Sequence, residues 1–338
     1  MRAARVFLAI FPLILVPLAS TAGAATVVAP VETYKQDPGP FLVSMSLLNW
    51  TDPARHRPVP VKIYAPVTGK GPFPVIVFSH GLGGSREGYK YLGSHWASYG
   101  YVSVHVDHLG SDTAALKQSA RPLRELRRAA ADPQNALERP LDVRFVLDQL
   151  AKINQGGSPL AHRLDLQRVG VAGHSFGAWT TLVVAGQVPG PRYGGAPLAD
   201  PRVKAAIAMS APVPRKNERF DRVYGGIHIP ILHMTGTLDD SPIGETRAAE
   251  RRIPYDHIRG ADQYLVTFQG GDHMIFSGRL ISSERGEKDA RFQNLIRQGT
   301  VAFWDAYLKG DAEAKAWLAR GGYAAALGKD GKIEERLR

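Results

Sequence analysis

The chain reads as an α/β fold, with a mainly parallel sheet of about eight strands and helices on both faces. Three observations carry that expectation. Eight short apolar runs have the length of strands. Stretches of helical periodicity separate the later runs, as in βαβ units. And 338 residues, 44% of them apolar, are enough to bury a large core. No internal repeat at a period of about 20–50 residues argues for a solenoid or propeller instead.

Taken in order, Phe41–Leu48 and Val59–Tyr64 flank a Pro/Asp-containing turn, Asn49–Pro58, and are expected as an antiparallel lead-in. Val75–Ser79 and Tyr101–Val106 follow as strands, with a helix over Gly88–Ser98 between them. A helix over Leu137–Ile153 leads into the strand Val169–Ala172, and a second helix, Ala178–Gln187, leaves it. Val203–Met209, Ile229–Thr235 and Tyr264–Phe268 complete the strands, and a helix over Ala290–Leu308 closes the pattern. The tail is expected as a short helix, Ala312–Arg320, and then a frayed polar end. Two connections, residues 110–139 and 186–226, are long for a compact domain, and such connections tend to be functional. Both are expected to serve as lid or pocket insertions in a single unit spanning residues 26–338. Arg121, Arg124 and Arg128 in the first of them share one helical face, read as solvated.

Residues 1–25 carry a different signature. Met1-Arg-Ala-Ala-Arg5 is a basic start, Val6–Leu18 is apolar, and Ala22–Ala25 offers small residues for cleavage. This is the pattern of a signal peptide. Its apolar run of about 13 residues is shorter than the roughly 20 of a spanning helix. A periplasmic or secreted protein without stable membrane insertion after cleavage is therefore expected. The chain has no cysteine, which excludes disulfides, thiolate metal sites and a cysteine nucleophile. Its net charge of +11 favours anionic surfaces in general, but no nucleic-acid module accompanies it.

The chemistry concentrates in Val169-Gly-Val-Ala-Gly-His-Ser-Phe-Gly177. An apolar strand runs straight into Gly-x-Ser-x-Gly and then into a helix-forming run, the context of a nucleophile elbow. Ser175 is the expected nucleophile. A serine hydroxyl needs a base, and the base needs a carboxylate to fix its tautomer. Such sheets place ligands and chemistry past the carboxyl ends of strands. Asp239 and Asp240 follow the strand Ile229–Thr235, and Gly271-Asp-His273 follows Tyr264–Phe268. His273 is the expected base. Asp239 is the favoured acid, with Asp240 as the alternative and Asp272 a distant third. The oxyanion donors are expected from the N–H after the nucleophile, Phe176, and from Leu82 in His80-Gly-Leu-Gly-Gly84. His80 is read as shaping that loop. No metal is expected: His105-x-Asp107-His108 is too small a set, and zincin, P-loop and Ser-x-x-Lys motifs are absent.

Phe78-Ser-His-Gly-Leu-Gly-Gly84, Gly173-His-Ser-Phe-Gly177 and Gly271-Asp-His273 resemble the α/β-hydrolase superfamily. Within it they resemble the branch of plasma-type platelet-activating-factor acetylhydrolases, dienelactone-hydrolase-like proteins and bacterial polyester hydrolases. The resemblance implies an α/β-hydrolase fold and hydrolysis of small-molecule carboxylic esters without a cofactor. It implies Ser175, Asp239 and His273 as the triad, with Leu82 and Phe176 as oxyanion donors. Amide, peptide and lipid substrates use the same triad and stay open. Dienelactone hydrolases proper use a cysteine nucleophile, so their substrate does not carry over. Glu138-Arg139-Pro-Leu-Asp142 looks like a feature of the branch without an assigned role.

Overall fold

The computed structural model describes residues 33–114, 121–190, 197–214, 219–278 and 283–338. The expected signal peptide lies outside the described residues, as do parts of both long connections. The described residues contain a nine-stranded sheet in the order β1-β2-β4-β3-β5-β6-β7-β8-β9. The strands are β1 (Val43–Asp52), β2 (Arg57–Pro66), β3 (Phe73–Ser79), β4 (Val102–Val106), β5 (Leu164–His174), β6 (Val203–Met209), β7 (Ile231–Leu238), β8 (Gln263–Asp272) and β9 (Gly331–Arg336). β1 pairs antiparallel with β2, and β2 with β4. From β4 through β3, β5, β6 and β7 to β8 every pairing is parallel. This is the α/β-hydrolase fold.

The helices that position the site are α1 (Lys90–Ser98), α2 (Pro122–Ala131), α3 (Pro133–Gln155), α4 (Phe176–Ala185) and α5 (Ser283–Leu308). Successive strand side chains point to opposite faces. Val75 and Val77 of β3 accordingly join the core beneath α3 and α4, packed with Val146, Leu150 and Leu182. Ile76 and Phe78 join the core beneath α1 and α5, packed with Trp96, Phe303 and Trp304. β3 is buried along its whole length, which explains its unbroken apolar run.

The tail departs from expectation. Residues 331–336 are not a frayed end but an edge strand paired antiparallel with β8, from Gly331↔Phe268 to Arg336↔Gln263. Ile333 is its one apolar contact with the core. Backbone pairing to β8, rather than hydrophobic periodicity, makes this strand, so the polar sequence carries no sign of it. The sheet therefore has nine strands rather than about eight.

Three of the buried histidines are held far below their ordinary value in this frame. Burial pushes His95 and His105 down to about 3, and His233 to about 4. Each stays neutral in the folded chain and gains its proton on unfolding once the pH is below its unfolded value of about 6.5. Their contribution to stability is complete above that value and is lost as pH falls toward the folded values. Each lowers the unfolding free energy by up to about 1.4 kcal/mol per pH unit in that window. Urea midpoints are expected to be lower at about pH 5 than at about pH 7, a window above most carboxylates. Equal midpoints would contradict this account.

Candidate active site

β5 ends at His174, and α4 begins at Phe176, leaving one residue to make the reversal. Ser175 makes it with φ 56 and ψ −121, a strained backbone for a residue with a Cβ. The turn closes only because its neighbours are glycines. A Cβ on Gly173 would stand 2.3 Å from the Gly177 carbonyl oxygen, and one on Gly177 would stand 1.9 Å from that of Ser79. Backbone bonds hold the turn: the Ser175 N–H donates to Met209 (2.9 Å), and its carbonyl accepts from Ala178 (2.8 Å).

The structure brings Ser175, His273 and Asp239 into one hydrogen-bonded chain. His273 Nε2 lies 2.9 Å from Ser175 Oγ, and Nδ1 lies 2.7 Å from Asp239 Oδ1. The carboxylate can only accept, so Nδ1 carries the proton, and Nε2 is free to accept from the serine hydroxyl. Asp239 is fully buried. Its other oxygen accepts from Ser210 Oγ (2.6 Å) and Thr235 Oγ1 (2.8 Å). Burial alone would raise this carboxyl, but the hydrogen bond from His273, the charge of Arg251 and the hydroxyl of Ser210 bring it below the usual value.

The alternative acids are engaged elsewhere. Asp240 is exposed, and its Oδ1 accepts from the Ala248 N–H at 2.8 Å. Asp272 accepts from Met274 at 2.8 Å and caps the single turn that carries His273.

Two contributors to this cluster were not among the expected site residues. Arg251 is buried beside Asp239, donating from Nε to its carbonyl (3.1 Å) and from NH1 to the Ser210 carbonyl (2.8 Å). Its NH2 stands 3.4 Å from His273 Nδ1 and 3.6 Å from Asp239 Oδ1. Both nitrogens are donors, so they converge on the carboxylate rather than bond to each other. His174 is the second. Its Nε2 donates to the His273 carbonyl (3.0 Å), leaving Nδ1 to accept from the Tyr89 hydroxyl (2.9 Å). Burial keeps that ring neutral.

Leu82 and Phe176 face the same cavity as Ser175. Phe176 opens α4, so its N–H has no carbonyl behind it in the helix. In the Gly81–Gly84 loop, Gly81 donates to Tyr89 Oη (3.2 Å), Gly83 to Ser111 (2.8 Å) and Gly84 to Gly81 (2.9 Å). Among the described residues the Leu82 N–H has no such acceptor. Its direction is set by His80. His80 Nε2 accepts from the His108 N–H (3.2 Å), so Nδ1 is the protonated nitrogen and donates to the Gly81 carbonyl at 2.7 Å. In a planar trans peptide, the N–H opposes the C=O. Holding the Gly81 carbonyl thus turns the Leu82 N–H the other way.

The cavity has a volume of about 570 Å³, and its walls include Leu82, Phe176, Trp179, Val213, Ile243 and Met274. That size and lining suit a small organic molecule. Leu126 and Ala130 of α2 border it, as do Gln187 and Gly190, so both long connections reach the mouth.

His105, Asp107 and His108 do not converge on one point. His105 stacks on Phe78 with centroids 4.9 Å apart, and Asp107 accepts from the Arg86 N–H (2.6 Å). His108 bridges Ser79 Oγ and Asp142 Oδ2, each at 3.0 Å. This is a second Ser–His–Asp chain, but Ser79 is 2% exposed and His108 and Asp142 are fully buried, and none of them lines the cavity. Burial and the nearby Arg139 and Arg57 hold His108 neutral. Among the described residues no cluster of three or more histidine or acidic residues could hold a metal.

A family model described as platelet-activating factor acetylhydrolase, isoform II, matches residues 45–139. Three relatives named platelet-activating factor acetylhydrolase are similar along much of the chain. That of Cavia porcellus is 24% identical over 77% of this chain and 63% of its own length. That of Bos taurus is 25% identical over 60% and 48%, and that of Canis lupus familiaris 22% over 77% and 60%. The chain thus spans less than two thirds of each of these relatives. The sheet has the α/β-hydrolase arrangement, and the chain is similar to platelet-activating factor acetylhydrolases.

Proposed function

We propose that this α/β-hydrolase cleaves carboxylic esters through Ser175, His273 and Asp239. The observation that carries the reading is the hydrogen-bonded chain from Asp239 Oδ1 through His273 to Ser175 Oγ, opening on an apolar-walled cavity. In this mechanism Ser175 Oγ attacks the ester carbonyl carbon as its proton passes to His273 Nε2. The carbonyl oxygen, now negative, is held by the Leu82 and Phe176 N–H groups. Asp239 stabilises the imidazolium. The tetrahedral intermediate collapses, His273 returns the proton to the departing alcohol, and an acyl-enzyme remains. Water, giving its proton to His273 Nε2, attacks the acyl-enzyme carbonyl; the second tetrahedral intermediate collapses, His273 returns that proton to Ser175 Oγ, and the acid leaves. No cofactor takes part.

The word acetylhydrolase in the relatives' names supports a short acyl group. The segments 110–139 and 186–226 are proposed to shape the substrate pocket, which the presence of Leu126, Ala130, Gln187 and Gly190 in the cavity lining supports. The basic and apolar pattern of residues 1–25 supports export to the periplasm or medium. Among the described residues no helix is long and apolar enough to cross a membrane.

The test is a p-nitrophenyl ester series from acetate to decanoate, with a p-nitroanilide control and a fluorophosphonate probe. Turnover highest for short acyl chains, far slower anilide cleavage and labelling at Ser175 are expected. A chain inert to both esters and probe would instead be a binding protein on this fold. Preference for the anilide would make it an amidase.

A further inference from the structure

Arg139 lies in α3, fully buried, within the Glu138–Asp142 stretch that the proposed chemistry leaves unused. Its guanidinium donates in three directions. NH2 donates to the His80 carbonyl, NH1 to Ser111 Oγ at 2.8 Å, and Nε to Thr180 Oγ1 at 3.0 Å. Each acceptor belongs to a segment that bears on an oxyanion donor. His80 precedes Gly81 and Leu82. Ser111 also offers its carbonyl to the Gly83 N–H. Thr180 Oγ1 donates to the Phe176 carbonyl at 3.0 Å, and the guanidinium carbon sits 4.6 Å from the centre of the Phe176 ring.

No carboxylate forms an ion pair with Arg139 among the described residues, so this buried cation is spent on neutral acceptors. A buried charge is costly, and a hydrophobic residue often fills such a place at least as stably. Burial indeed brings the guanidinium down to about 9. What arginine alone supplies is a rigid planar fork reaching several acceptors at fixed angles. The loop carrying Leu82 and the helix carrying Phe176 come from distant parts of the chain. Arg139 is the side chain bonded toward both.

We propose that Arg139 is the positioning residue of the oxyanion hole, fixing the Leu82 and Phe176 N–H groups relative to each other. The inference rests on the serine-esterase reading above. It predicts a defect confined to the step in which negative charge develops on the carbonyl oxygen.

Arg139→Lys keeps the charge but not the fork, and Thr180→Val removes one acceptor while keeping the shape. Both are measured per fluorophosphonate-titrated Ser175, for kcat, for KM and for inhibition by a trifluoromethyl ketone, which forms a tetrahedral adduct. Arg139→Lys is expected to lower kcat about 100-fold, the scale of losing one donor, with KM within about threefold. The inhibition constant should rise by a similar factor, because the adduct shares the oxyanion. Thr180→Val should move both quantities the same way by about five- to tenfold. A buttressing role alone would lower the melting temperature or the titratable fraction and leave kcat per site and the inhibition constant unchanged. That result in either folded variant overturns the proposal, and Thr180→Val decides it if Arg139→Lys does not fold. A wild-type chain inert to ester and probe overturns the esterase reading, and this inference with it.

Discussion

Ser175→Ala is expected to lower ester turnover by about 10⁶-fold, the scale seen when a triad nucleophile is removed, while leaving the fold intact. The reason for the loss is chemical: without Oγ there is no atom to form the acyl-enzyme, and His273 has no proton to take. The reason for the retained fold is local. The turn is held by backbone bonds, the Ser175 N–H to Met209 and the Ala178 N–H to the Ser175 carbonyl. Alanine keeps both. It also bears the left-handed φ of 56 no worse than serine, since each carries one Cβ. Only the 2.9 Å bond to His273 Nε2 disappears. The variant should keep its melting temperature and bind ester substrate with little change. Turnover near the wild-type rate would show that another nucleophile does the work. Ser79 heads the other Ser–His–Asp chain, and a Ser79→Ala variant would test it directly. Its burial and its absence from the cavity lining predict no catalytic loss from that route.

What was legible in the sequence follows from range. The Gly-x-Ser-x-Gly turn, the glycine-rich loop at His80–Gly84 and the loop at Gly271–His273 are local devices. Their glycines and their positions after strands can be read without a partner in view. The buried strands were equally plain, because β3 and β5 are apolar for as long as they run between two cores. Arg251 was not legible. It comes 12 residues after Asp239, in a charged stretch without a motif, and only folding brings its guanidinium against Asp239. Arg139 was visible as an odd motif, yet its three acceptors lie 28, 41 and 59 residues away. β9 was missed for the same reason, since its order comes from Gln263–Phe268 rather than from its own side chains.

The pair at 239 and 240 gives the sharpest division. Asp239→Asn is expected to lower kcat about 10⁴-fold, as losing the correct imidazole tautomer does, whereas Asp240→Asn should stay within about twofold. At position 239 the inner oxygen is surrounded by two hydroxyl donors, Ser210 and Thr235. An asparagine placed there turns its carbonyl oxygen toward those hydroxyls, which leaves its NH2 facing His273 Nδ1. Nδ1 must then accept, so the ring proton moves to Nε2, where it blocks the transfer from Ser175. The substitution also removes the carboxylate that pairs with buried Arg251, so a lower melting temperature should accompany the kinetic loss. That stability term has a defined pH dependence. The folded carboxyl titrates below its unfolded value, so its contribution is complete above the unfolded pKa and is lost as pH falls through the folded one. The melting-temperature gap between wild type and Asp239→Asn should therefore be wide at neutral pH and narrow in acid. Asp240 is exposed and only caps the Ala248 N–H, a bond that the asparagine oxygen can keep. Equal losses from the two variants, or a loss from Asp240→Asn alone, would move the acid to the other residue and undo the tautomer argument.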